Sequence, residues 1–558
     1  MSPPLLTTDC LHLIFKDFEE DKYTLHSCLL VNRLWCETVV SLLWSQPFRL
    51  TRRTPSSKLV QTYINCLDPQ VLTDDEKEIL EITDKRISPT FDYPSFLRQV
   101  SYLDLYNGIA AWFEWYEPWG EVYRERIALV SKLLIYSFMS HSPAFHKLSI
   151  ETGEMVMVPN SHLNFFSHQG SETCLSKLRQ FICIGDFLKT DIFAGAAKIC
   201  KNIKTLFVSP GRVCTSGSRS VPEKQYDFLI NLIKGQKSLE YFVVHTCNKP
   251  ARIVSALLES QINSIVHVEF FKVDFIECVT LAPLAESKKL ETLTFEECIS
   301  LENVLEPFVS SSLICLKKIN FKKSTVRDDV LATLIKNAGS TLSTIYLGPI
   351  EIRDIYNPHT IIDLITKNCQ NLIDLALDIQ KPDIPYLLIL LSSSRYLNKL
   401  EIFGNILRID SYLENFFQLL PPSLEHLIIN ADWHFSADDL AAGLENCKAR
   451  LKSLYMPDCY LISDRHLCVI TKYLGDSLHH LDVSYASPSQ VTSEGLRKAR
   501  SIIKRVDYVY KEDRKYPTFW NLRYWGEEWV EEPIVDRTIE QWDWENGEEG
   551  WYGADWKK

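Results

Sequence analysis

One spacing constrains this chain more than any other. The pattern L-x-x-L-x-L, with other apolar residues standing in for leucine, recurs twelve times between residues 178 and 483. It begins Leu178-Phe181-Cys183, Ile203-Leu206-Val208, Leu239-Phe242-Val244 and Ile265-Val268-Phe270. Leu290-Leu293-Phe295, Leu316-Ile319-Phe321, Leu342-Ile345-Leu347 and Leu372-Leu375-Leu377 continue it, and Leu397, Leu424, Leu451 and Leu478 open the last four. First positions are separated by 25, 36, 26, 25, 26, 26, 30, 25, 27, 27 and 27 residues. A period this constant over so many units means stacked repeats, each burying its apolar face against its neighbours.

Within a unit, alternating apolar residues make a short strand with one buried face, and the first leucine tucks in ahead of it. Between strands lie helical stretches such as Val326–Ile335, with Val326, Val330 and Leu334 on one face and a stop at Asn337 and Gly339. Strands on one side and wider helices on the other predict a curved α/β solenoid, strands concave and helices convex. Eight residues after the first leucine stand Cys247, Cys298, Asn405 and Cys459, with short polar Asp186, Ser324 and Asp432 elsewhere, whereas Val273 and Ile350 break the rule. The array is identified as leucine-rich repeats, and Cys459–Leu467 resembles the cysteine-containing repeat of F-box/leucine-rich-repeat proteins, which gives the cysteines a structural reading. The longest unit holds Pro210-Gly211 and the Thr215–Ser220 loop, read as an exposed insertion and a candidate contact.

Composition narrows the function classes. Hydrophobic residues at 46% and charged residues at 24% are those of a folded domain. A net charge of −12 argues against nucleic acid as a general partner, since phosphate neutralisation needs Lys and Arg. No apolar run approaches the ~20 residues that span a bilayer, so no membrane partner is expected. The 16 cysteines include no C-x-x-C pair, which fits neither a zinc ribbon nor a disulfide scaffold, and points to reduced thiols in the cytoplasm, the nucleus or both.

The N-terminus reads as three short amphipathic helices. Leu11, Ile14, Phe15 and Phe18, then Leu25, Cys28 and Leu29, then Val31, Trp35 and Val39 recur at helical spacing, with Thr8 or Asp9 as a cap. So small a module gains stability by laying an apolar face on a partner. Its motifs, D-x-L-x-x-I-F-x-x-F at Asp9–Phe18 and C-L-L-V-N-R-x-W at Cys28–Trp35 followed by Trp44, resemble an F-box. That resemblance covers under a tenth of the chain. It implies a Skp-family adaptor as partner and, through it, a cullin. The residues forming or supporting the adaptor surface would be Leu6, Leu11, Ile14, Phe15, Val31 and Trp35. Leu6-Thr7 stands where the family usually opens with Leu-Pro, a departure that bears on the first contact.

Four segments follow: a three-helix F-box at 1–45, a helical linking segment at 46–145, the repeats at 146–506 and a tail at 507–558. The linking segment holds an exposed linker at Thr51–Lys58 and an aromatic run at Trp112–Trp119, and reads as a packed core between F-box and repeats. Phe145–Ile150 reads as a degenerate first strand. From Pro517 to Lys558 there are eleven Asp or Glu against four Lys or Arg, and seven of the 13 tryptophans. Two readings of that tail stand side by side: a disordered segment that sticks to a partner, or, nearer Tyr508–Trp529, a cap on the last repeat.

No phosphate-binding loop, H-E-x-x-H helix or nucleophile elbow occurs. His479 and His480 are adjacent at a strand start, so they point to different faces, and Glu296-Glu297 at a strand end reads as solvated. The expectation is a non-enzymatic substrate receptor of a Skp-cullin-F-box ubiquitin ligase, without cofactor or metal, holding a protein substrate on the concave face. The alternative is a leucine-rich-repeat scaffold with no ligase role, its N-terminal helices serving as a cap. A cap packs Phe15 and Trp35 against the chain itself, whereas an adaptor site leaves much of that apolar face open.

Overall fold

All twelve motifs coincide with strands, and every one of their apolar positions is buried. In this computed structural model the chain divides into two units, Met1–Ile265 and Val266–Lys558. The structure describes residues 7–508, apart from 20, 51–56, 81–88, 114–120, 152–162, 186–188, 211–222, 248, 277, 279, 303, 311–312, 350–356, 405–407, 485 and 488–489. Leu6, the Thr215–Ser220 loop, Asn405 and the Trp-rich tail therefore lie outside the described residues.

The first unit opens with three helices, α1 (Thr8–Lys16), α2 (Lys22–Leu29) and α3 (Arg33–Leu43). Thr7, Asp21 and Asn32 cap them, each side-chain oxygen accepting from backbone N–H groups of the first turn. Thr7 thus carries the α1 cap, one or two residues before the Thr8 or Asp9 expected. Beyond them, Trp44, Phe48, Tyr63 and Phe138 pack edge to face and stacked, with Tyr63–Phe138 centroids 4.8 Å apart. Of these, Phe48, Tyr63 and Phe138 are buried.

Five parallel strands complete this unit: β1 (Gln99–Ser101), β2 (Lys147–Glu151), β3 (Gln180–Ile184), β4 (Thr205–Val208) and β5 (Tyr241–Cys247). Each pairs with the next in an unshifted register, Val100 with Leu148, Leu148 with Phe181, Phe181 with Leu206 and Leu206 with Phe242. The degenerate strand at Phe145–Ile150 is present as β2. The ladder also reaches back to β1, inside the segment read as helical, because Leu97, Val100 and Tyr102 bury themselves as a motif does.

The second unit carries ten strands: β6 (His267–Val273), β7 (Thr292–Glu296), β8 (Lys318–Phe321), β9 (Thr344–Leu347), β10 (Asp374–Asp378), β11 (Lys399–Gly404), β12 (His426–Ala431), β13 (Ser453–Tyr455), β14 (His480–Asp482) and β15 (Arg505–Asp507). All pair in parallel with the next. Most return through a helix such as Asp328–Ala338 or Asp464–Leu474, the βα arrangement that parallel pairing requires. This is an α/β, leucine-rich-repeat-like architecture.

Buried side chains stitch neighbouring repeats. Ser324 Oγ donates to Phe295 O at 3.0 Å and accepts from Cys298 N at 2.9 Å. Cys298 Sγ reaches Phe270 O, and Cys459 Sγ reaches Ala431 O, at 3.3 and 3.5 Å. In the first unit Gln261 accepts from Leu239 N and donates to Ile233 O and Gln236 O. Backbone groups that strands and helices leave unpaired are satisfied this way, as burial demands. Strand ends turn through positive φ. Gly404 does so at +143°, where a Cβ would lie 2.0 Å from Ile379 O. Lys272, Glu297 and Lys323 do so at 52–53° without being glycine.

Candidate interaction surfaces

The N-terminal helices bury one side and expose another. Leu11, Phe15, Leu25, Val39 and Leu42 make their core, with Cys28, Leu29, Leu34 and Trp35 packed on it. Phe15 is 2% exposed and meets Trp35 edge to face. The helices thus cover Leu11 and Phe15 themselves, so those two support a surface without forming it. Trp35 is half-buried.

Around them lies an apolar surface. Leu13 is 67% exposed, Ile14 44%, Leu30 77% and Val31 55%, and Phe18 is exposed as well. Ile14 and Val31 belong to the expected adaptor set. Leu13 and Leu30, outside that set, are open as well, and helical spacing alone does not say which side of a three-helix bundle its own members cover. Four large apolar side chains are thus open within residues 13–31.

On the second unit the strands present a ladder of side chains on the face opposite the buried leucines. Register divides it into rows. The first contains Lys318, Lys399 and Arg505, with Asp374 its acid and His267, His426 and His480 between. The middle row contains Glu269, Glu401, Asp482 and Asp507 and neither Lys nor Arg. The third includes Glu296, Asp378 and Phe403, and Lys322 follows β8.

Near the middle, Tyr346, Ala376 and Phe403 form an apolar cluster. Lys322 Nζ sits 5.0 Å from the Tyr346 ring centroid and 5.4 Å from that of Phe403, and pairs with Glu401 at 2.7 Å. Asn430 donates to the other oxygen of Glu401 at 3.0 Å. Lys318 and Lys399 also approach Tyr346. Burial pushes the Lys318 ammonium below its ordinary value.

At the last strands Tyr455 OH lies 2.7 Å from His480 Nδ1, and His480 Nε2 lies 2.7 Å from Asp507. Neighbouring His426 Nδ1 lies 2.7 Å from Ser453 Oγ. Burial opposes ionisation of Asp507, but hydrogen bonds from His480 and Arg505 outweigh it and hold the carboxyl below its usual value. Asp482 differs. Burial is the largest influence, nearby Asp507 adds to it, and its carboxyl is pushed up, with Ser484 as hydrogen-bond partner and no ion pair among the described residues. Glu296 is likewise raised, first by burial and further by Glu269 and Glu297, and Asn320 donates to it at 3.0 Å.

Two expectations change here. Glu297 is held by Lys272 and Lys323 at 3.4 and 2.9 Å, so the acid pair is partnered rather than simply solvated. His480 is drawn into a Tyr–His–Asp chain that sequence proximity to His479 did not reveal. Among the described residues no three His, Cys, Asp or Glu gather as a metal site.

The described cysteines are free thiols. Burial pushes Cys183, Cys200, Cys247, Cys298 and Cys459 up to about 12, which leaves them protonated and unreactive at neutral pH.

At the level of sequence, no protein-family profile and no curated protein matches this chain. Among solved structures it is similar to a chain in the crystal structure of the Rad7 and Elc1 complex in yeast, with a TM-score of 0.33 and 14% identity over 88% of this chain and 96% of that one. It is also similar to an internalin, InlF, of Listeria monocytogenes, with a TM-score of 0.27 and 15% identity over 62% of this chain and 79% of that one. At these scores the likeness is loose, and the architecture rests on the strands and helices described above.

Proposed function

We propose that this chain is the substrate-recognition subunit of a Skp-cullin-F-box ubiquitin ligase, acting in the cytoplasm, the nucleus or both. The N-terminal helices dock a Skp-family adaptor, and the strand face of the repeats holds a protein substrate. The subunit makes no bond itself; it raises the effective concentration of substrate near the ligase. One observation carries the reading: Leu13, Ile14, Leu30 and Val31 lie open over a helical core that is already closed without them. An open apolar patch on so small a module has a cost in water that a partner removes.

A second reading, a leucine-rich-repeat scaffold without ligase role, draws on the burial of Phe15 and its contact with Trp35, as a cap requires. Capture of a purified Skp adaptor by the purified chain separates the two. The ligase reading expects capture, lost in an Ile14→Asp, Val31→Asp variant that keeps its fold. The scaffold reading expects none.

A further inference from the structure

Resting on that reading of the repeats as the substrate-holding part, we infer that the strand face of the second unit takes an extended polypeptide segment rich in Lys or Arg. Its middle row contains Glu269, Glu401, Asp482 and Asp507. Lys322 already pairs with Glu401, Arg505 with Asp507 and His267 with Glu269, which leaves Asp482, and Glu296 alongside, as the carboxyls without an ion pair among the described residues. Lys318, Lys399 and Arg505 stand one row away, so the face is polarised, with a basic border beside an acidic floor.

The chain's own Lys322 displays the kind of group this floor accepts. Its ammonium rests over two aromatic rings and against a carboxylate. Tyr455, paired with Asp482 in register, offers the same combination of ring and carboxylate near the other end. At Asp482 no internal cation fills an ion pair among the described residues, and the same holds at Glu296. Burial raises both carboxyls, more than Asn320 and the nearby Lys322 at Glu296, or Ser484 and His480 at Asp482, lower them. An arriving ammonium or guanidinium relieves the rest of that cost. Seven strand steps separate β7 from β14, or about 34 Å at ~4.8 Å per step. An extended segment of about ten residues spans that length.

The test is fluorescence anisotropy of the full chain with a labelled peptide of about twelve residues, Lys and Arg alternating with Gly, beside a Glu/Asp counterpart. The basic peptide should bind and the acidic one should not. Glu296→Gln with Asp482→Asn should weaken binding about tenfold, and Lys399→Glu should tighten it. A variant with Glu527, Glu528, Glu531 and Glu532 changed to Gln guards against attraction by the acidic tail, and should bind as the wild type does. Absence of basic-peptide binding, equal binding of the acidic peptide, or loss confined to the tail variant overturns the inference. Skp-adaptor capture is measured on the same preparations. It should be unchanged by the face substitutions, so failure here and failure of the ligase reading are separately visible.

Discussion

Phe15 and Trp35 meet edge to face, ring centroids 4.9 Å apart and planes at 67°, while Ile14, next to Phe15 in the chain, remains open to solvent. One turn of helix thus divides its side chains between holding the module together and offering it outward. Trp35→Ala should loosen the three helices by about 2 kcal/mol, through lost burial and the lost ring contact. Ile14→Asp should stay within ~0.5 kcal/mol of wild type, as surface changes do. Amide hydrogen exchange across α1–α3 reads both. Equal effects of the two substitutions would contradict this division.

Ser324 links its own repeat to the preceding one through one hydroxyl, at both Phe295 and Cys298. In Ser324→Ala the Cys298 N–H is left buried without its acceptor, and Phe295 O loses a donor. The expected loss is about 1–3 kcal/mol. Urea unfolding should report it as a lower midpoint, with exposed Ser340→Ala as the control that does not move.

Thiol reactivity should follow burial. Cys10 and Cys468 are exposed and should alkylate in the folded chain. Cys183, Cys200, Cys247, Cys298 and Cys459 should alkylate only after denaturation, because each is buried and held protonated. Peptide mass mapping after iodoacetamide treatment distinguishes the sets, and early labelling of Cys298 or Cys459 would contradict their structural role.

Two aspartates on neighbouring strands should respond to pH with opposite signs. Asp482 keeps its proton to higher pH folded than unfolded, so it withdraws stability as pH rises from the ordinary value of 3.8 through its raised one. Asp482→Asn should therefore melt above wild type at pH 7, and the gap should close well below pH 3.8, where the wild-type group is protonated in both states. Asp507 is depressed in the fold and contributes stability above 3.8 that is lost as pH falls through its lowered value. Asp507→Asn should melt below wild type at pH 7, the gap shrinking in acid. Melting curves across pH 2–7 settle both signs.

The repeats were legible because period and alternation are redundant: twelve copies of one spacing survive substitution of any single leucine. The ends were less so. Leu97-Val100-Tyr102 and Phe145-Leu148-Ile150 obey the same spacing with aromatic and β-branched residues, and Ile503-Val506 opens β15 in the same manner. Their strands are short and their helices do not repeat at the usual interval, so β1 and β15 did not stand out. Among the expected adaptor residues, apolar periodicity did not separate Leu11 and Phe15, which are covered, from Ile14 and Val31, which are open. That distinction depends on how three helices cross. The rows of charge became visible only with register, since Glu269 and Asp507 share a row across more than two hundred positions of chain.

The most direct measurement is capture of a purified Skp-family adaptor by the purified full chain, quantified by calorimetry, beside the Ile14→Asp, Val31→Asp variant. Saturable binding by the wild type, lost in a variant whose melting temperature is unchanged, is what this account predicts. A folded wild-type chain that takes up no adaptor would contradict it and leave the N-terminal helices as a cap on a repeat scaffold.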